Sequence, residues 1–377
     1  MKLDLLYEFQ PKPGPWKEPH PYGQRHAEQQ TYDEAIEQIQ LADKLGFHTA
    51  WAVEHHFRDG RSACPTSEAV LGGLALSTTN IRLGFGVVLM PFGFIHPARV
   101  AEKVATADVL SGGRVEWGTG RSTPMEQASF HVDRNKSRAE WEEAIRVITA
   151  MWREEYFEWD SPTFQFARRM VTPKPVQYPH PPCWMAATTE GSSTVAGMNH
   201  LGLLSFSIMQ PLEKMASQID AYRAAWNHPD AKPLSDVSTN KVAAYTIVHC
   251  ADSMQQAEDN GIWESVGWWY RSIAEFTLQW ELPNLPPDEQ DEVFPGLSAL
   301  MGGDVPIQQF HDADMIVVGD PERCLEKMKR YADLGVDELI CYVQFGFHSN
   351  ESTMRTIELL GTEVLPELRK YVAATRG

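Results

Sequence analysis

The sequence lacks a long apolar run and has few basic residues. No segment of the 377 residues reaches the ~20 consecutive apolar residues that a membrane-spanning helix needs. The first eight residues include Asp4 and Glu8, and no apolar stretch typical of a signal peptide follows them. Lys and Arg number 33 against 51 Asp and Glu, which gives a net charge of −18. Because this balance repels phosphate backbones and anionic lipids, we expect neither nucleic acid nor a membrane as a partner.

Cysteine is also scarce and scattered. The chain has five cysteines, an odd number, without a CxxC pair: Cys64, Cys183, Cys250, Cys324 and Cys341. This pattern argues against a disulfide framework and against a thiolate zinc site. We expect a reducing, cytoplasmic setting and no bound metal.

Short apolar segments alternate with segments of helical period along the chain. Eight segments rich in β-branched and aromatic residues are predicted as strands: 3–9, 49–54, 81–90, 114–118, 183–188, 201–207, 242–249 and 338–345. Helical patterns lie between them, for example at 32–45, 97–110, 137–152, 212–226 and 321–334. Such alternation is typical of parallel strands, and eight strands close a (β/α)8 TIM barrel. An open doubly wound sheet is the alternative, but it usually has a glycine-rich turn after its first strand, where this chain has the proline-rich residues 10–15.

One segment interrupts the alternation before the last strand. Residues 261–314 form an insertion rich in tryptophan and other aromatics, and we treat 1–377 as one domain that contains it. Two interpretations stay open: a helical hairpin that packs its aromatics on the barrel, and a lid that supplies an apolar wall to a substrate pocket.

Catalytic groups of TIM barrels lie at the C-terminal ends of the strands. The second predicted strand ends in Glu54-His55-His56-Phe57. Adjacent side chains at a strand end point to opposite sides, so only one of the two histidines faces the barrel mouth, and we favour His55. Metal ligation is the competing role, but the first strand lacks the His-x-His pair that metal-dependent barrel hydrolases carry.

Three further strand segments have notable residues, and two of them point to an anion site. The third strand has glycines at alternate positions, Gly84 and Gly86, which indicates either a ligand close to the backbone or barrel curvature. The fourth strand continues into Gly120-Arg121-Ser122, and arginine binds phosphate in a bidentate manner. The fifth passes into a hydroxyl-rich helix start with Thr188, Thr189, Ser192 and Ser193. Since a helix N-terminus attracts anions, the fourth and fifth segments together predict a phosphate site.

The substrate pocket is less clearly marked. We select Phe9, His131, Trp268 and Gln344 as candidate pocket residues, from strand ends, the loop after the fourth strand and the aromatic insertion. Each of these residue types serves packing as often as recognition. Their combined character favours a small apolar or aromatic substrate.

Several motifs in the same order resemble one known family. They are residues 34–57, residues 81–118 with His96-Pro97-Ala98-Arg99 inside them, the 188–193 turn, and residues 318–322 leading to 334–337. With these motifs the chain resembles the bacterial luciferase-like, flavin-dependent monooxygenases, which are (β/α)8 barrels. The similarity extends over nearly the whole chain.

The resemblance implies roles for single residues. His55 matches the catalytic histidine of the family, and Arg121 with the turn of Thr188, Thr189, Ser192 and Ser193 matches the grip on the flavin phosphate. The Gly86-Val87 bond matches a non-prolyl cis peptide beneath the flavin ring, and Met90 at the end of that strand is assigned to the same flavin site. Gly120 stands where light-emitting members carry a reactive cysteine, which argues against bioluminescence.

The resemblance also implies a reaction. Family members use reduced FMN and O2 to form a C4a-peroxyflavin that oxygenates a small organic substrate, and a histidine near its unperturbed pKa of about 6.5 serves as acid or base in such chemistry. They generally receive FMNH2 from a separate NAD(P)H:flavin reductase, so we expect a two-component monooxygenase and, from the family, a homodimer. The alternatives are an F420-dependent oxidoreductase of the same fold and a non-catalytic FMN-binding flavoprotein.

Overall fold

Eight parallel strands close into a barrel. The computed structural model describes residues 1–11, 23–58, 60–281, 286, 289, 297–303 and 305–376. Its strands are β1 Lys2–Tyr7, β2 Thr49–Ala52, β3 Arg82–Leu89, β4 Val115–Gly120, β5 Phe157–Asp160, β6 Gln165–Arg169, β7 Cys183–Ala187, β8 Gly202–Ser205, β9 Val242–Cys250, β10 Val317–Gly319 and β11 Glu338–Tyr342. The ring runs β1-β2-β3-β4-β7-β8-β9-β11 and returns to β1. The predicted TIM barrel is confirmed, and its eight strands are the eight predicted from the sequence.

Helices cover the outside of the barrel. In the described part of the chain they are Gly23–Leu45, Ser67–Ser77, Pro97–Ser111, Pro124–Ser129, Ser137–Arg153, Glu190–Met198, Leu212–Trp226, Met254–Asp259, Ile262–Phe276, Leu297–Gly302, Gln308–Asp312, Pro321–Asp333, Asn350–Leu359 and Leu365–Arg376. The Ser137–Arg153 helix illustrates why they form, because its buried side chains Trp141, Ile145, Ile148 and Trp152 recur at spacings of three and four. Among the described residues, no helix is both long and apolar enough to cross a bilayer.

Two tryptophans fill the barrel interior near its N-terminal end. The rings of Trp51 and Trp184 meet edge to face, with their centroids 5.9 Å apart. A Cβ atom on Gly84 would lie 2.3 Å from the ring of Trp51. Glycine in the third strand is therefore required by a neighbouring side chain, and barrel packing explains Gly84 without a ligand.

A buried polar cluster lies beneath these tryptophans. Asp4 Oδ2 accepts a hydrogen bond of 2.9 Å from Trp51 Nε1, and Glu116 Oε2 accepts one of 2.7 Å from Trp184 Nε1. Lys241 donates to Glu338, the third carboxyl group of the cluster. Burial raises the pKa of Asp4, and the nearby charge of Glu116 raises it further. The hydrogen bond from Trp51 lowers it in part, and the resulting pKa is about 7.

The raised pKa of Asp4 predicts a pH-dependent stability. A carboxyl group whose folded pKa lies above its unfolded value of about 3.9 stabilises the fold fully below that value, and this contribution is lost as the pH rises to the folded pKa. The free energy of unfolding of Asp4→Asn minus that of the wild type is expected to be about 2–4 kcal/mol larger at pH 8 than at pH 4, since one pKa unit corresponds to ~1.36 kcal/mol. Urea unfolding at both pH values measures this, with the exposed Asp160→Asn as the control. An unchanged difference between the variant and the wild type would contradict it.

The insertion before the last strand both packs on the barrel and lines its mouth. In the Ile262–Phe276 helix, Trp269 and Tyr270 are buried, and Tyr270 Oη donates to Ile208 O at 2.6 Å. Ile273 and Phe276 of the same helix line the central cavity. The described residues of this segment therefore both pack on the barrel and form part of an apolar cavity wall. Residues 282–285, 287–288, 290–296 and 304 lie outside the described residues. The same holds for residues 12–15 of the predicted proline-rich loop.

Two smaller features were not predicted from the sequence. Strands β5 and β6 form an antiparallel hairpin between β4 and β7. Strand β10 pairs with β9 alone, outside the ring. Both leave the closure of the barrel unchanged.

Candidate functional site

A cavity of about 650 Å³ opens at the C-terminal ends of the barrel strands. Glu8 follows β1, His55 follows β2, Gly120 ends β4 and Thr188 follows β7, so each of these strands delivers a lining residue at its end. Apolar groups from the insertion form part of the wall. The cavity therefore lies where TIM barrels hold their chemistry.

His55 lines this cavity and is held by a buried carboxylate. Its Nδ1 lies 3.0 Å from Glu126 Oε1, which leaves the other ring nitrogen, Nε2, outside this contact. His56 is not part of the lining, and its backbone N–H donates to the same oxygen at 2.7 Å. Of the two histidines, His55 is thus the one that lines the cavity.

Glu126 is ionised in this setting. Burial alone would raise its pKa, but hydrogen bonds from His55, Ser122 and the His56 N–H outweigh burial and hold the pKa well below the usual range. Thr123 Oγ1 adds a further hydrogen bond of 2.8 Å. The carboxylate therefore fixes the orientation of the His55 imidazole.

The Gly86–Val87 peptide bond is cis, as expected from the sequence, and both residues line the cavity. Val87 also explains Gly120 on the neighbouring strand. A Cβ atom at position 120 would lie 2.5 Å from Val87 Cγ2. Glycine at position 120 therefore fits the close packing against Val87.

Arg121 brings a positive charge to the cavity. Among the described residues it has no carboxylate partner, and its Nη1 donates to Ser137 Oγ at 3.2 Å. Burial, and then the nearby charges of Arg138 and Arg134, lower the pKa of Arg121. Crowded cations without a counter-ion are a site for an anion, and they fit a phosphate.

The hydroxyl-rich turn contributes less to this site than its composition suggests. Thr188 and Ser192 line the cavity, whereas Thr189 and Ser193 do not. Thr189 caps the helix by accepting from Ser192 N, and Ser193 Oγ donates to Thr189 O. Capping thus occupies three of the four hydroxyls, since Ser192 Oγ also accepts from the N–H of Thr188 and Thr189. Thr188 and Ser192 line the same cavity as Arg121.

The residues selected for the substrate pocket, and Met90, lie outside the cavity lining. Phe9 is buried against Tyr32 with ring centroids 4.8 Å apart, and Met90 is buried in the outer hydrophobic core. Trp268 packs on Phe347, and the Gln344 amide donates to Thr31 O. His131 is exposed on the loop after the short helix of Glu126. Their positions follow from helix and loop packing, which strand-end spacing does not determine.

Besides Glu126, which lies behind His55, a group of buried polar residues in the cavity lining was not predicted from the sequence. Glu8, Arg58, Arg61 and Tyr245 are all buried and all line the cavity, and we call them the Glu8–Arg61 cluster. Glu8 accepts from Arg61 Nε at 3.1 Å and from Arg61 Nη2 at 3.0 Å. The position of Glu8 one residue after the first strand was the available signal. Nothing in the sequence pattern pairs it with an arginine 53 residues away.

One histidine–carboxylate set among the described residues has the spacing of metal ligands, and it lies at the opposite end of the barrel. It consists of Asp4, His48 and Glu338. Lys2 Nζ lies 2.7 Å from His48 Nε2, and Lys241 Nζ lies 3.2 Å from Glu338 Oε1. Lysine ammonium groups therefore supply the positive charge there.

Comparison with known proteins places this architecture in a family. The model of the luciferase-like monooxygenases matches residues 17–338. The chain belongs to this family. The resemblance inferred from the sequence motifs is confirmed.

The relatives in this family use more than one cofactor. The oxygenase component of the flavin-dependent trigonelline monooxygenase of Acinetobacter baylyi is 26% identical over 355 residues, which cover 91% of each chain. The F420-dependent glucose-6-phosphate dehydrogenase of Microbacterium testaceum is 23% identical over 342 residues, covering 88% of this chain and 92% of that protein. Monooxygenases among the relatives indicate an oxidoreductase, and the choice of cofactor rests on the site.

A solved structure shares the fold. The oxygenating constituent of 3,6-diketocamphane monooxygenase from Pseudomonas putida, in complex with FMN, superposes with a TM-score of 0.75 at 17% identity, covering 97% of this chain and 99% of that one. At this identity the likeness shows the luciferase-like barrel alone.

Proposed function

We propose that the protein is an FMNH2- and O2-dependent monooxygenase that oxygenates a small organic substrate. The observation that carries the proposal is that one cavity contains both His55, held by Glu126, and the guanidinium of Arg121, which has no carboxylate partner in the described part of the chain. Reduced FMN, when bound, would supply the electrons that activate O2. Arg121, Thr188 and Ser192 would hold its phosphate, and Gly86 and Val87 would lie beneath its ring.

His55 provides the proton transfer in this proposal. Its Nδ1 is engaged by Glu126, so Nε2 is the nitrogen available to exchange a proton with the reacting groups. Apolar side chains of the wall, such as Val53, Phe206 and Ile273, keep mobile protons away from the cavity. A non-catalytic flavoprotein would have no need of the buried carboxylate behind His55.

The cations around Arg121 suit the single terminal phosphate of FMN. Arg121 with the neighbouring Arg134 and Arg138 forms one cluster of cations at the cavity, which suits one terminal phosphate. The F420-dependent relatives make an F420-dependent oxidoreductase the second candidate. Stopped-flow absorbance separates the two: the protein should delay the reoxidation of FMNH2 by O2 relative to free FMNH2. Rapid, oxygen-independent reduction of F420 by a substrate would favour the second candidate.

We further propose that FMNH2 comes from a separate NAD(P)H:flavin reductase. The trigonelline relative is itself named as an oxygenase component, which supports this proposal. The pure protein mixed with NADH and FMN is expected to oxidise negligible NADH, and added flavin reductase should start the reaction. Rapid NADH oxidation by the protein alone would contradict it. A cytoplasmic location is part of the same proposal, because all five cysteines are free.

Removal of the Arg121 guanidinium is expected to weaken FMN binding. A hydrogen bond to a charged group contributes about 1.5–3 kcal/mol, so Arg121→Met should raise the Kd of FMN by roughly 10- to 150-fold. The quenching of flavin fluorescence measures this Kd. Arg168→Met is the matched control, because Arg168 is exposed and stacks on Tyr156 away from the cavity. Equal Kd values for the wild type and Arg121→Met would place the phosphate elsewhere.

We also propose a homodimer. The helices Ser67–Ser77 and Pro97–Ser111 expose Leu76, Val109 and Leu110, and Leu76 is 75% exposed. Apolar side chains grouped in this way are typical of a surface between subunits. Light scattering on a sizing column should give twice the mass of the chain, and Leu76→Glu should reduce it to one chain. A wild-type protein that elutes as a monomer would refute the dimer.

A further inference from the structure

The Glu8–Arg61 cluster contains two buried hydrogen-bond donors, on Arg61 and Tyr245, that lack an acceptor among the described residues. Arg61 gives Nε and Nη2 to Glu8, but its Nη1 is buried and has no hydrogen-bond partner among the described residues. Arg61 as a whole is 7% exposed and lines the cavity. A buried guanidinium nitrogen without an acceptor is costly, and a ligand that supplies the acceptor removes the cost.

Tyr245 repeats this pattern. It is 5% exposed, lines the cavity, and its Oη lacks a hydrogen-bond partner within the described part of the chain. Burial, followed by the nearby charge of Glu8, raises the pKa of Tyr245 well above its ordinary value, so the hydroxyl stays protonated and can donate. The charge of Arg61 also acts on the Tyr245 hydroxyl. The two donors therefore lie close enough to interact electrostatically.

The acceptors of the cluster are already used. Glu8 accepts twice from Arg61, and its Oε2 also lies 3.4 Å from Tyr342 Oη. Arg58 adds a second guanidinium, whose Cζ lies 3.8 Å from the centre of the Phe276 ring. The other lining carboxylate, Glu54, is paired with Lys103 at 3.1 Å. The cluster thus offers donors and positive charge, and it calls for a ligand group that only accepts.

We propose that the Glu8–Arg61 cluster binds the carboxylate of the organic substrate, so that the substrate is a small aromatic or apolar acid. This inference rests on the proposed monooxygenase function and names its substrate class. Arg61 Nη1 and Tyr245 Oη each donate to the carboxylate, and Ile273, Phe276 and Phe206 contact its apolar body. The phosphate of FMN is held separately at Arg121.

The carbonyl oxygens of the flavin ring are an alternative acceptor for these donors. A binding experiment distinguishes them from a substrate carboxylate. The probes are benzoate and benzamide, which share one shape and differ in charge, titrated by calorimetry into the FMN-loaded protein. The wild type is expected to bind benzoate at least about tenfold more tightly than benzamide, since hydrogen bonds to a charged group are the stronger ones. Arg61→Met and Tyr245→Phe should each reduce this preference to about threefold or less and leave the Kd of FMN unchanged.

Tyr245→Phe keeps the test decisive if Arg61→Met fails to fold, because it removes one oxygen atom and no charge. The matched control is Tyr7→Phe, since Tyr7 also has a buried hydroxyl without a partner among the described residues but does not line the cavity. Equal affinity of the wild type for the two probes, with FMN bound normally, would overturn this inference alone. Weaker FMN binding in Tyr245→Phe would assign the donors to the flavin and overturn it as well. A protein that fails to bind FMN would overturn the proposed function itself.

Discussion

His55→Ala is expected to abolish oxygenation and to spare FMN binding. Proton transfer by a positioned side chain contributes about 10²–10⁴-fold to a rate, so turnover should fall by that factor. The Kd of FMN should stay within about twofold, because the proposed phosphate site is at Arg121 and does not include the imidazole. Product formed per FMNH2 consumed, with the best substrate from a panel of small organic acids and neutral compounds, measures the loss.

The neighbouring histidine supplies the control for this prediction. His56 does not line the cavity, and its ring packs on Phe130 with centroids 4.9 Å apart. His56→Ala should therefore retain most of the turnover. Full activity of His55→Ala would refute the role of His55, whatever the behaviour of His56→Ala.

Glu126→Gln is expected to have the second largest effect on turnover. The amide oxygen still accepts from His55 Nδ1 and from the His56 N–H, but these hydrogen bonds lose the charge of the carboxylate and hold the imidazole less firmly. We expect turnover to fall by about 10- to 10³-fold with FMN binding unchanged, and Glu126→Ala to be slower still. Glu126 is a positioning residue in this account, since it acts through His55.

The separate effects on kcat and KM distinguish this role from a purely structural one. If Glu126 acts through His55, Glu126→Gln lowers kcat and leaves KM and the Kd of FMN unchanged. Glu140→Gln is the control, because Glu140 also accepts from a backbone N–H, that of Phe92, and does not line the cavity. A Kd of FMN that rises together with the loss of kcat, or equal losses in the two variants, would contradict the assignment of Glu126.

The barrel was predictable from the sequence because its strands leave a strong local signal. Each barrel strand is buried on both faces, so it forms a short apolar segment between helical patterns. Strand β10 has three residues and the β5–β6 hairpin is largely exposed, so neither produces that signal. His55 and Arg121 were predictable for a related reason, since strand ends in a barrel converge on one face.

The partners of these residues could not be predicted in the same way. Glu126 lies 71 residues from His55, on a helix of six residues, and its spacing of three from Thr123 is typical of ordinary helix capping. Phe9 was selected as a pocket residue because it follows a strand, yet its backbone has φ of 53° and its ring packs on Tyr32. Pairing and side-chain direction beyond the strand end are set by tertiary packing, which a single sequence does not encode locally.

A crystal structure of the protein soaked with FMN is the most direct test of the proposed flavin site. The phosphate is expected to contact Arg121, Thr188 and Ser192, and the flavin ring is expected to lie on the Gly86–Val87 bond with His55 beside it. A phosphate bound away from Arg121, or a ring out of reach of His55, would refute the proposed monooxygenase.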